Sequence, residues 1–344
     1  MGSGCCKAEK VIPVNISKCF SDIIPGKSFD SNLKCHDLSE NRENYPNYTP
    51  RIIKWKKGSL IGQGVFGRVY QVLNVDSGEL LAVKNQKLSN ESAKAERQLQ
   101  NISREINILR PLSHPNIIRY FQVDYNEEEN SVDILMEYVP CGSMNFLLMK
   151  YKGLSETAVS NYTRQLLEGL RFLHLNSIIH RDLKSANVLI TEESTLKITD
   201  FGCSRQFNED CEGISKSLKG SPYWMAPEVV MRTGHAYPAD IWSLGCMVIE
   251  MITGVPPWSN YSNETNDVLN LIAKKDSLPT IPQGSAALKD FITKCLNRDP
   301  SLRPSASILL DHEFIQLNSV TRCYNSIRSS SLKASISDLV IQNL

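Results

Sequence analysis

The chain has 344 residues and a net charge of +1, from 38 lysines and arginines against 37 aspartates and glutamates. This balance excludes a polybasic nucleic-acid binder and an acidic tail protein, so no nucleic-acid partner is expected. A hydrophobic content of 41% is sufficient for a sizeable core, which excludes a wholly disordered chain.

The N-terminal residues 1–54 lack a periodic apolar pattern and are rich in Asn, Ser, Pro and Lys, so we interpret them as a disordered extension. They contain neither the apolar run of a secretory signal nor a membrane-spanning stretch. The cysteines of the whole chain include no C-x-x-C pair. A cytoplasmic protein with free thiols is therefore expected. Membrane association through acylated Gly2 and palmitoylated Cys5 or Cys6 is the alternative, although Cys6 stands where a myristoylation signal has Ser or Thr.

The central part of the chain begins with β-rich runs and continues with helical periodicity. Strands are predicted over Trp55–Ile61, Gly67–Val75, Leu80–Asn85, Ile117–Tyr125 and Val132–Tyr138, with a turn at Asp76-Ser77-Gly78 and a helix over Ala93–Leu109. From Ser155, the expected N-cap, the apolar residues recur at helical spacing. The run Ile241–Ile252 is apolar nearly all round and predicts a helix buried in a domain centre. A strand-rich lobe thus precedes a helix-rich lobe.

The C-terminal residues 315–344 form a Ser-rich tail. We expect this tail to be loose, with a short helix over Ser335–Asn343 as the alternative.

A glycine-rich segment separates the first two predicted strands. It reads Ile61-Gly62-Gln63-Gly64-Val65-Phe66-Gly67, and its glycines let the backbone approach phosphate oxygens because glycine has no Cβ. A dinucleotide-binding fold would place such glycines between a strand and a helix, whereas a second strand follows here. The segment predicts a hairpin that folds over a nucleotide, with a plain Gly-rich turn as the alternative.

The third predicted strand carries a lysine in Leu81-Ala82-Val83-Lys84. After a glycine-rich hairpin, Lys84 is a candidate ligand of α- and β-phosphates. Its ammonium needs a carboxylate partner, and Glu105 on the following helix is favoured because Ile106 and Leu109 mark the buried side beside it. A solvated strand lysine and an ordinary surface glutamate are the alternatives.

The most specific signal is the loop His180-Arg181-Asp182-Leu183-Lys184-Ser185-Ala186-Asn187. Asp182 can accept or orient the proton of an attacking hydroxyl. Asn187 can supply an oxygen to Mg²⁺, which prefers oxygen ligands, and Lys184 can neutralise a transferring phosphoryl group. His180 is interpreted as structural.

A second acidic motif, Asp200-Phe201-Gly202, follows the strand-like Leu196-Lys197-Ile198-Thr199. Asp200 is expected to hold Mg²⁺ against the β- and γ-phosphates. The loop after it ends in Gly220-Ser221-Pro222-Tyr223-Trp224-Met225-Ala226-Pro227-Glu228. A loop of this length inside a domain is uncommon unless it is functional.

These motifs, in this order and over roughly Trp55 to Phe314, resemble the eukaryotic protein kinases. Lys184, two residues after Asp182, resembles the pattern of the serine/threonine branch. The Gly220–Glu228 segment and Thr253-Gly254-Val255-Pro256-Pro257-Trp258 resemble the STE group, within which Met136-Glu137-Tyr138-Val139-Pro140-Cys141-Gly142-Ser143 is similar to the MAP kinase kinase kinases.

The resemblance implies a two-lobed α+β fold in a kinase domain at 55–314, with an N-lobe of antiparallel sheet plus one helix at about 55–138 and a mainly helical C-lobe at about 143–314. It implies transfer of the ATP γ-phosphoryl group to Ser or Thr of a protein, with ATP and Mg²⁺ as cofactors and a MAP kinase kinase as a candidate substrate.

The resemblance also assigns the residues around the adenine. Met136 is the gatekeeper, the Glu137 carbonyl and the Val139 N–H bond the adenine edge, and the ring is covered by Val69, Ala82 and Leu189. Lys84, Asp182 and Asp200 are expected to meet around one nucleotide in a cleft between the lobes.

The same resemblance implies two structural contacts, and the sequence departs from the family's usual pattern at two positions. Glu228 is expected to pair with Arg303, and Asp240 to anchor the loop His180–Asn187, which the resemblance implies is the catalytic loop. Ser221 stands where these relatives usually have Thr, but its hydroxyl is expected to reach Asp182 and Lys184. Cys203, where Ala is common, is interpreted as a packing residue, with a reactive thiol as the alternative.

The resemblance further implies that Arg181 pairs with a phosphate on the loop after Asp200. Ser217 is the first candidate for that phosphate and Ser215 the second, because a phosphate there adds nearly two charges and can order the loop. The alternative is that both are solvated serines.

Three rival functions are open. A pseudokinase scaffold would lack Lys84, Asp182, Asn187 or Asp200, yet all four are present. A kinase of small molecules would not need the Pro222–Glu228 segment that shapes a protein-substrate groove. A different STE-group kinase is the third.

Overall fold

The computed structural model describes residues 53–64, 67–126, 129–201, 205–206, 221–234, 236–262 and 264–316, apart from the side chains of 92, 103–105, 107–108 and 205–206. Several predictions lie outside these residues. They concern the N-terminal extension with Gly2, Cys5 and Cys6, the glycine-rich segment's Val65 and Phe66, Cys203, Ser215, Ser217 and the Ser-rich tail.

The chain divides into two compact units. The first contains the described residues up to Leu112 together with Arg119–Tyr138, and the second contains Ser113–Ile118 and the described residues from Val139 onward. The first is dominated by strands and the second by helices, which confirms the predicted α+β class and its order along the chain.

The first unit is a five-stranded antiparallel sheet with one long helix. The strands are β1 (Trp55–Gly64), β2 (Gly67–Asn74), β3 (Leu80–Lys87), β4 (Tyr120–Asn126) and β5 (Ser131–Glu137), in the order β1-β2-β3-β5-β4. The helix α1 (Ser92–Leu109) agrees closely with the prediction. Because side chains alternate along a strand, Val72, Leu81, Val83 and Leu135 share one face and form a buried cluster.

The turn between β2 and β3 confirms the predicted turn at Asp76-Ser77-Gly78. The Asn74 side chain accepts hydrogen bonds from the backbone N–H groups of Asp76 and Ser77. Gly78 has φ +75°, a left-handed value that favours glycine. The turn therefore fixes the pairing of β2 with β3.

The predicted strand Ile117–Tyr125 is wrong in its first residues. Strand β4 begins at Tyr120, while Ile117 and Ile118 belong to the second unit. There the Ile118 N–H donates to the Ile198 carbonyl at 2.9 Å. The apolar run continues across the junction between the two units, because burial in either unit favours the same residue types. The start of β4 therefore could not be located from hydrophobicity.

The second unit is mainly helical. Its helices are α2 (Met144–Tyr151), α3 (Glu156–Leu175), α4 (Pro227–Val230), α5 (Tyr237–Thr253), α6 (Thr265–Ala273), α7 (Ala286–Cys295) and α8 (Ala306–Leu310). Short antiparallel pairs join β6 (Ile178–Ile179) to β9 (Arg205–Gln206), and β7 (Val188–Ile190) to β8 (Leu196–Ile198).

Helix termini and burial agree with two predictions in this unit. The Ser155 side chain accepts the Ala158 N–H and caps α3 as expected. Helix α5, over the predicted apolar run, has most of its residues buried. Helix α2 was not predicted, although Ser143 caps it by accepting the Phe146 N–H. Among the described helices, none is both long and apolar enough to cross a bilayer.

Candidate active site

One face of the sheet in the first unit carries the residues assigned to the nucleotide. Strand register pairs Val69 with Lys84 and Ala82 with Met136, and Ala82 and Lys84 have the same parity on β3. Cross-strand partners lie on the same face. Val69, Ala82, Lys84 and Met136 therefore share the face opposite the buried cluster that contains Val83.

The glycine-rich hairpin has a backbone that requires glycine at its end. Gly67 has φ +134°, and a Cβ there would lie 2.2 Å from the Asn85 carbonyl oxygen. At Gly64 a Cβ would meet nothing within 4 Å, so that side of the hairpin is open. Register pairs Gly62 with Val69, Gln63 with Arg68 and Gly64 with Gly67. A Cβ at Gly64 would thus extend into a space where a ligand's phosphates could approach.

Lys84 lies on β3 and is half-buried. Glu105, its predicted partner, lies in α1, but its side chain is outside the described part of the structure. The Lys84–Glu105 ion pair therefore stays a prediction. Ile61 lies on the exposed strand β1, and Glu137 ends β5.

In the second unit, Asp182 is the centre of a hydrogen-bond cluster. Its Oδ2 accepts from Lys184 Nζ at 2.8 Å and from Asn187 Nδ2 at 3.0 Å, and its Oδ1 accepts from Ser221 Oγ at 2.9 Å. Lys184 Nζ also donates to Ser221 Oγ. The expectation that Ser221 reaches Asp182 and Lys184 is confirmed, and these donors fix the orientation of the carboxylate.

Strand register brings Asn187 close to Asp200. Val188 at the start of β7 pairs with Ile198 at the end of β8, and the Thr199 N–H donates to the Asn187 carbonyl at 2.9 Å. The two predicted magnesium ligands thus flank one end of this strand pair. The Asn187 amide nitrogen donates to the Asp182 carbonyl and carboxylate, which leaves the amide oxygen for a hard cation. These residues fit a magnesium site.

The Asp240 carboxylate, at the start of α5, holds the backbone of the catalytic loop. It accepts the N–H groups of His180 and Arg181, each at 2.9 Å, and lies 2.9 Å from His174 Nε2. Arg181 has φ +71°, a left-handed conformation that is costly without glycine. The predicted anchoring by Asp240 is confirmed, and it stabilises this strained turn directly before Asp182.

The charge state of Asp240 is set by opposing effects. Complete burial alone would raise the pKa of its carboxyl, but the hydrogen bond from His174, the charges of His174 and His180 and the Arg181 N–H together lower it below the ordinary 3.8. Asp240 is therefore ionised at neutral pH, and its charge strengthens the hydrogen bonds to the loop.

His180 has a structural environment. Its Nε2 lies 3.1 Å from the Thr199 carbonyl oxygen, and its ring contacts the fully buried Phe201 edge-on, with centroids 4.9 Å apart. Asp200, between Thr199 and Phe201, has φ +63°. His180 thus supports the backbone that carries Asp200, in line with its interpretation as structural.

The predicted ion pair of Glu228 with Arg303 is confirmed. Arg303 Nη1 and Nη2 donate to the two carboxylate oxygens of Glu228 at 2.6 and 2.8 Å, and both side chains are buried. Arg303 also donates to the carbonyls of Asn297 and Pro238. The pair ties the segment after Ser221 to the C-terminal part of the unit.

The remaining assigned residues of this unit lie near the loop. Leu189 on β7 is half-buried and forms a bridge with Ser143, and Val139 is buried. Arg181 is buried, while Ser215 and Ser217, its proposed phosphate carriers, lie outside the described residues.

The contacts of two buried carboxylates were not predicted from the sequence, those between His174 and Asp240 and those of Glu250. His174 supports Asp240, and Glu250 on α5 accepts hydrogen bonds from Ser185 and Trp224. The signal for Glu250 was present, because it is an acidic residue inside the apolar run Ile241–Ile252. His174 gave no signal of its own, since its partner is distant in the chain.

Comparison with known proteins gives consistent matches. The family described as protein kinase domain matches residues 55–315. Mitogen-activated protein kinase kinase kinase 3 of Arabidopsis thaliana is 45% identical over 305 residues, covering 84% of this chain and 46% of the relative. Mitogen-activated protein kinase kinase kinase 2 of the same plant is 47% identical over 268 residues, covering 76% and 41%.

A similar relative occurs outside plants. Mitogen-activated protein kinase kinase kinase A of Dictyostelium discoideum is 44% identical over 281 residues, covering 81% of this chain and 29% of the relative. The chain therefore spans less than half the length of these curated relatives.

Proposed function

The chain belongs to the protein kinase family, and we propose that it is an ATP-dependent serine/threonine kinase of the MAP kinase kinase kinase type. Its reaction is transfer of the ATP γ-phosphoryl group to a hydroxyl of a protein. The observation that carries this proposal is the cluster in which Lys184, Asn187 and Ser221 all donate to the Asp182 carboxylate.

The Asp182 carboxylate is the group that receives the substrate hydroxyl. Its three donors hold it in one orientation, so it can orient that hydroxyl and accept its proton. Lys184 adds a positive charge beside the acceptor, where it stabilises negative charge on the transferring group. Catalysis of this kind depends mainly on positioning and charge neutralisation.

Each of the two units carries residues suited to one of the cofactors. Val69, Ala82, Lys84 and Met136 share a sheet face suited to adenine and phosphates, and the Asn187 oxygen and the Asp200 carboxylate suit Mg²⁺. Bound Mg²⁺ supplies charge neutralisation on the phosphates. Lys84 would bind the α- and β-phosphates.

The proposed substrate is a MAP kinase kinase. The relatives at 44–47% identity are mitogen-activated protein kinase kinase kinases, which supports this substrate class. The rival, a scaffold without chemistry, is disfavoured because all four residues Lys84, Asp182, Asn187 and Asp200 are present.

A comparison of Asp182→Asn with wild type tests the proposal. The variant keeps the size of the side chain but removes the proton acceptor, so phosphorylation of a MAP kinase kinase whose own catalytic lysine is replaced should fall at least about a hundredfold. The exposed Glu192→Gln serves as a matched control and should leave the rate unchanged. A phosphoproteome that loses no sites in Asp182→Asn cells, despite loss of function, would favour the scaffold.

A further inference from the structure

Glu250 is a buried acidic residue that the proposed mechanism does not use. It lies near the C-terminal end of α5, which ends at Thr253, and the residue is 2% exposed. A buried carboxyl without partners is strongly unfavourable, so its contacts must offset a large desolvation penalty. Both of its oxygens are hydrogen-bonded, and the two partners belong to different functional segments.

The first partner belongs to the catalytic loop. Ser185 Oγ lies 2.5 Å from Glu250 Oε1, and the Ser185 backbone N–H also interacts with the carboxyl. Ser185 lies in the loop that carries Asp182, between Lys184 and Asn187. Glu250 therefore fixes the loop between the residue that neutralises charge and the residue that would hold magnesium.

The second partner belongs to the segment that carries Ser221. Trp224 Nε1 donates to Glu250 Oε2 at 2.9 Å, and the Ser243 hydroxyl on α5 donates to the Trp224 carbonyl at 2.8 Å. Trp224 ends the 3₁₀ turn Pro222–Trp224, which directly follows Ser221. Helix α5 thus binds both the side chain and the backbone carbonyl of Trp224 in this turn.

We propose that Glu250 is a positioning residue that couples the catalytic loop to the Pro222–Trp224 turn and so maintains the Asp182–Ser221 contact. One carboxyl joins the two segments that are also connected by the hydrogen bonds from Ser221 to Asp182 and from Lys184 to Ser221. This inference rests on the proposed kinase function. Glu250 acts through Ser185 and Trp224 and touches neither the acceptor nor the transferring group.

The environment of Glu250 predicts a pH dependence of activity near neutral pH, which a merely structural residue would not produce. Burial is the main cause that raises the pKa of Glu250 to about 7, and the hydrogen bonds from Ser185 and Trp224 oppose it. The ionised carboxylate accepts every donor around it, whereas the protonated form must donate one hydrogen. The contacts should therefore tighten as pH rises through about 7.

Other charged or titratable groups also lie around α5. They include Asp240 and Cys246 on α5, His174 on α3, Cys295 on α7, Arg303, and His180, Arg181, Asp182 and Lys184 in the catalytic loop. A difference between the pH profiles of wild type and a Glu250 variant separates the titration of Glu250 from theirs.

The test compares Glu250→Met with Glu250→Gln, using phosphorylation of a MAP kinase kinase whose catalytic lysine is replaced. Methionine removes the acceptor at similar size, so kcat should fall about tenfold while KM for ATP changes less than about twofold. Glutamine can accept from Trp224 and donate to Ser185, so it should retain activity but lack the rise in kcat between pH 6 and 8 that we expect of wild type. Glu250→Met at the wild-type rate, or a Gln profile that keeps this rise, would overturn the proposal.

A cycle of milder variants keeps the test valid if Glu250→Met fails to fold. Trp224→Phe and Ser185→Ala each remove one hydrogen bond and should lower kcat about fivefold. Coupling through Glu250 predicts that the double variant is no slower than the slower single variant, whereas strictly multiplicative effects would contradict it. If wild type phosphorylates no protein, the proposed kinase function is wrong. If wild type is active and these variants are as active as wild type, the kinase function stands and only the inference about Glu250 is wrong.

Discussion

The Ser221 hydroxyl donates a hydrogen bond of 2.9 Å to Oδ1 of Asp182, although the two residues lie far apart in the chain. Lys184 donates to both of them, so the three side chains form a closed set of contacts. In the proposed reaction Asp182 receives the substrate hydroxyl. The position of Ser221 therefore bears directly on the orientation of the Asp182 carboxylate.

Replacement of Ser221 by Ala should lower kcat about tenfold, because the Asp182 carboxylate loses a charge-assisted hydrogen bond and one constraint on its orientation. Ser221→Thr retains the hydroxyl and should stay within about twofold of wild type. Steady-state kinetics on a MAP kinase kinase substrate measures both variants. Equal rates for Ala and Thr would show that the hydroxyl does not orient Asp182.

Replacement of Asp240 by Asn should destabilise the catalytic loop. The amide cannot accept the N–H groups of both His180 and Arg181 while lying near His174, so at least one buried donor loses its partner. The expected loss of stability at pH 7 is about 1–3 kcal/mol. Urea unfolding measures it, and an unchanged midpoint would contradict the anchoring role.

The lowered pKa of Asp240 also predicts how this difference depends on pH. A carboxyl whose pKa is lower in the folded than in the unfolded chain contributes stability above its unfolded value, and loses it as pH falls through the folded value. The advantage of wild type over Asp240→Asn should therefore persist down to about pH 4 and shrink below the ordinary value of 3.8. Unfolding midpoints from pH 3 to 7 test the sign, and a difference that grows on acidification would refute it.

Breaking the Glu228–Arg303 pair should be strongly destabilising, because either residue alone would be a buried charge without its partner. Glu228→Gln is expected to cost about 3–5 kcal/mol of unfolding free energy. The exposed Arg171–Glu168 pair provides the control, since Arg171→Gln should change stability by less than about 1 kcal/mol. Thermal and urea unfolding of both variants decide whether burial causes the difference.

Phosphorylation of Ser217 or Ser215 is predicted to activate the enzyme through Arg181. Replacing both serines by Ala should lower activity at least about tenfold, because the loop would lose the phosphate that pairs with the arginine. Ser330→Ala in the C-terminal tail is the control. Mass spectrometry establishes whether the phosphate is present, and unchanged turnover of the double variant would exclude this switch.

The residues of the site were predictable where short sequence motifs carry them. Asp182, Lys184 and Asn187 share one loop, so their proximity follows from their spacing, and Asp240 and Arg303 were assigned through the resemblance to kinases. The start of β4 was misplaced because Ile117 and Ile118 are as apolar as strand residues but bond to Ile198 in the second unit. Helix α2 was missed because it is short and its N-cap, Ser143, follows directly on the motif used for the adenine contacts.

The sequence by itself determined the family, the order of the motifs and the chemical type of each active-site residue, because glycine, lysine and carboxylate requirements are local and leave a readable pattern. Only the tertiary structure decided which distant groups support them. Glu250 reaches Ser185 and Trp224, and His174 reaches Asp240, because helix packing brings together segments far apart in the chain. Burial and hydrogen bonding then set the pKa values of these carboxyls, and neither can be read from residue identity alone.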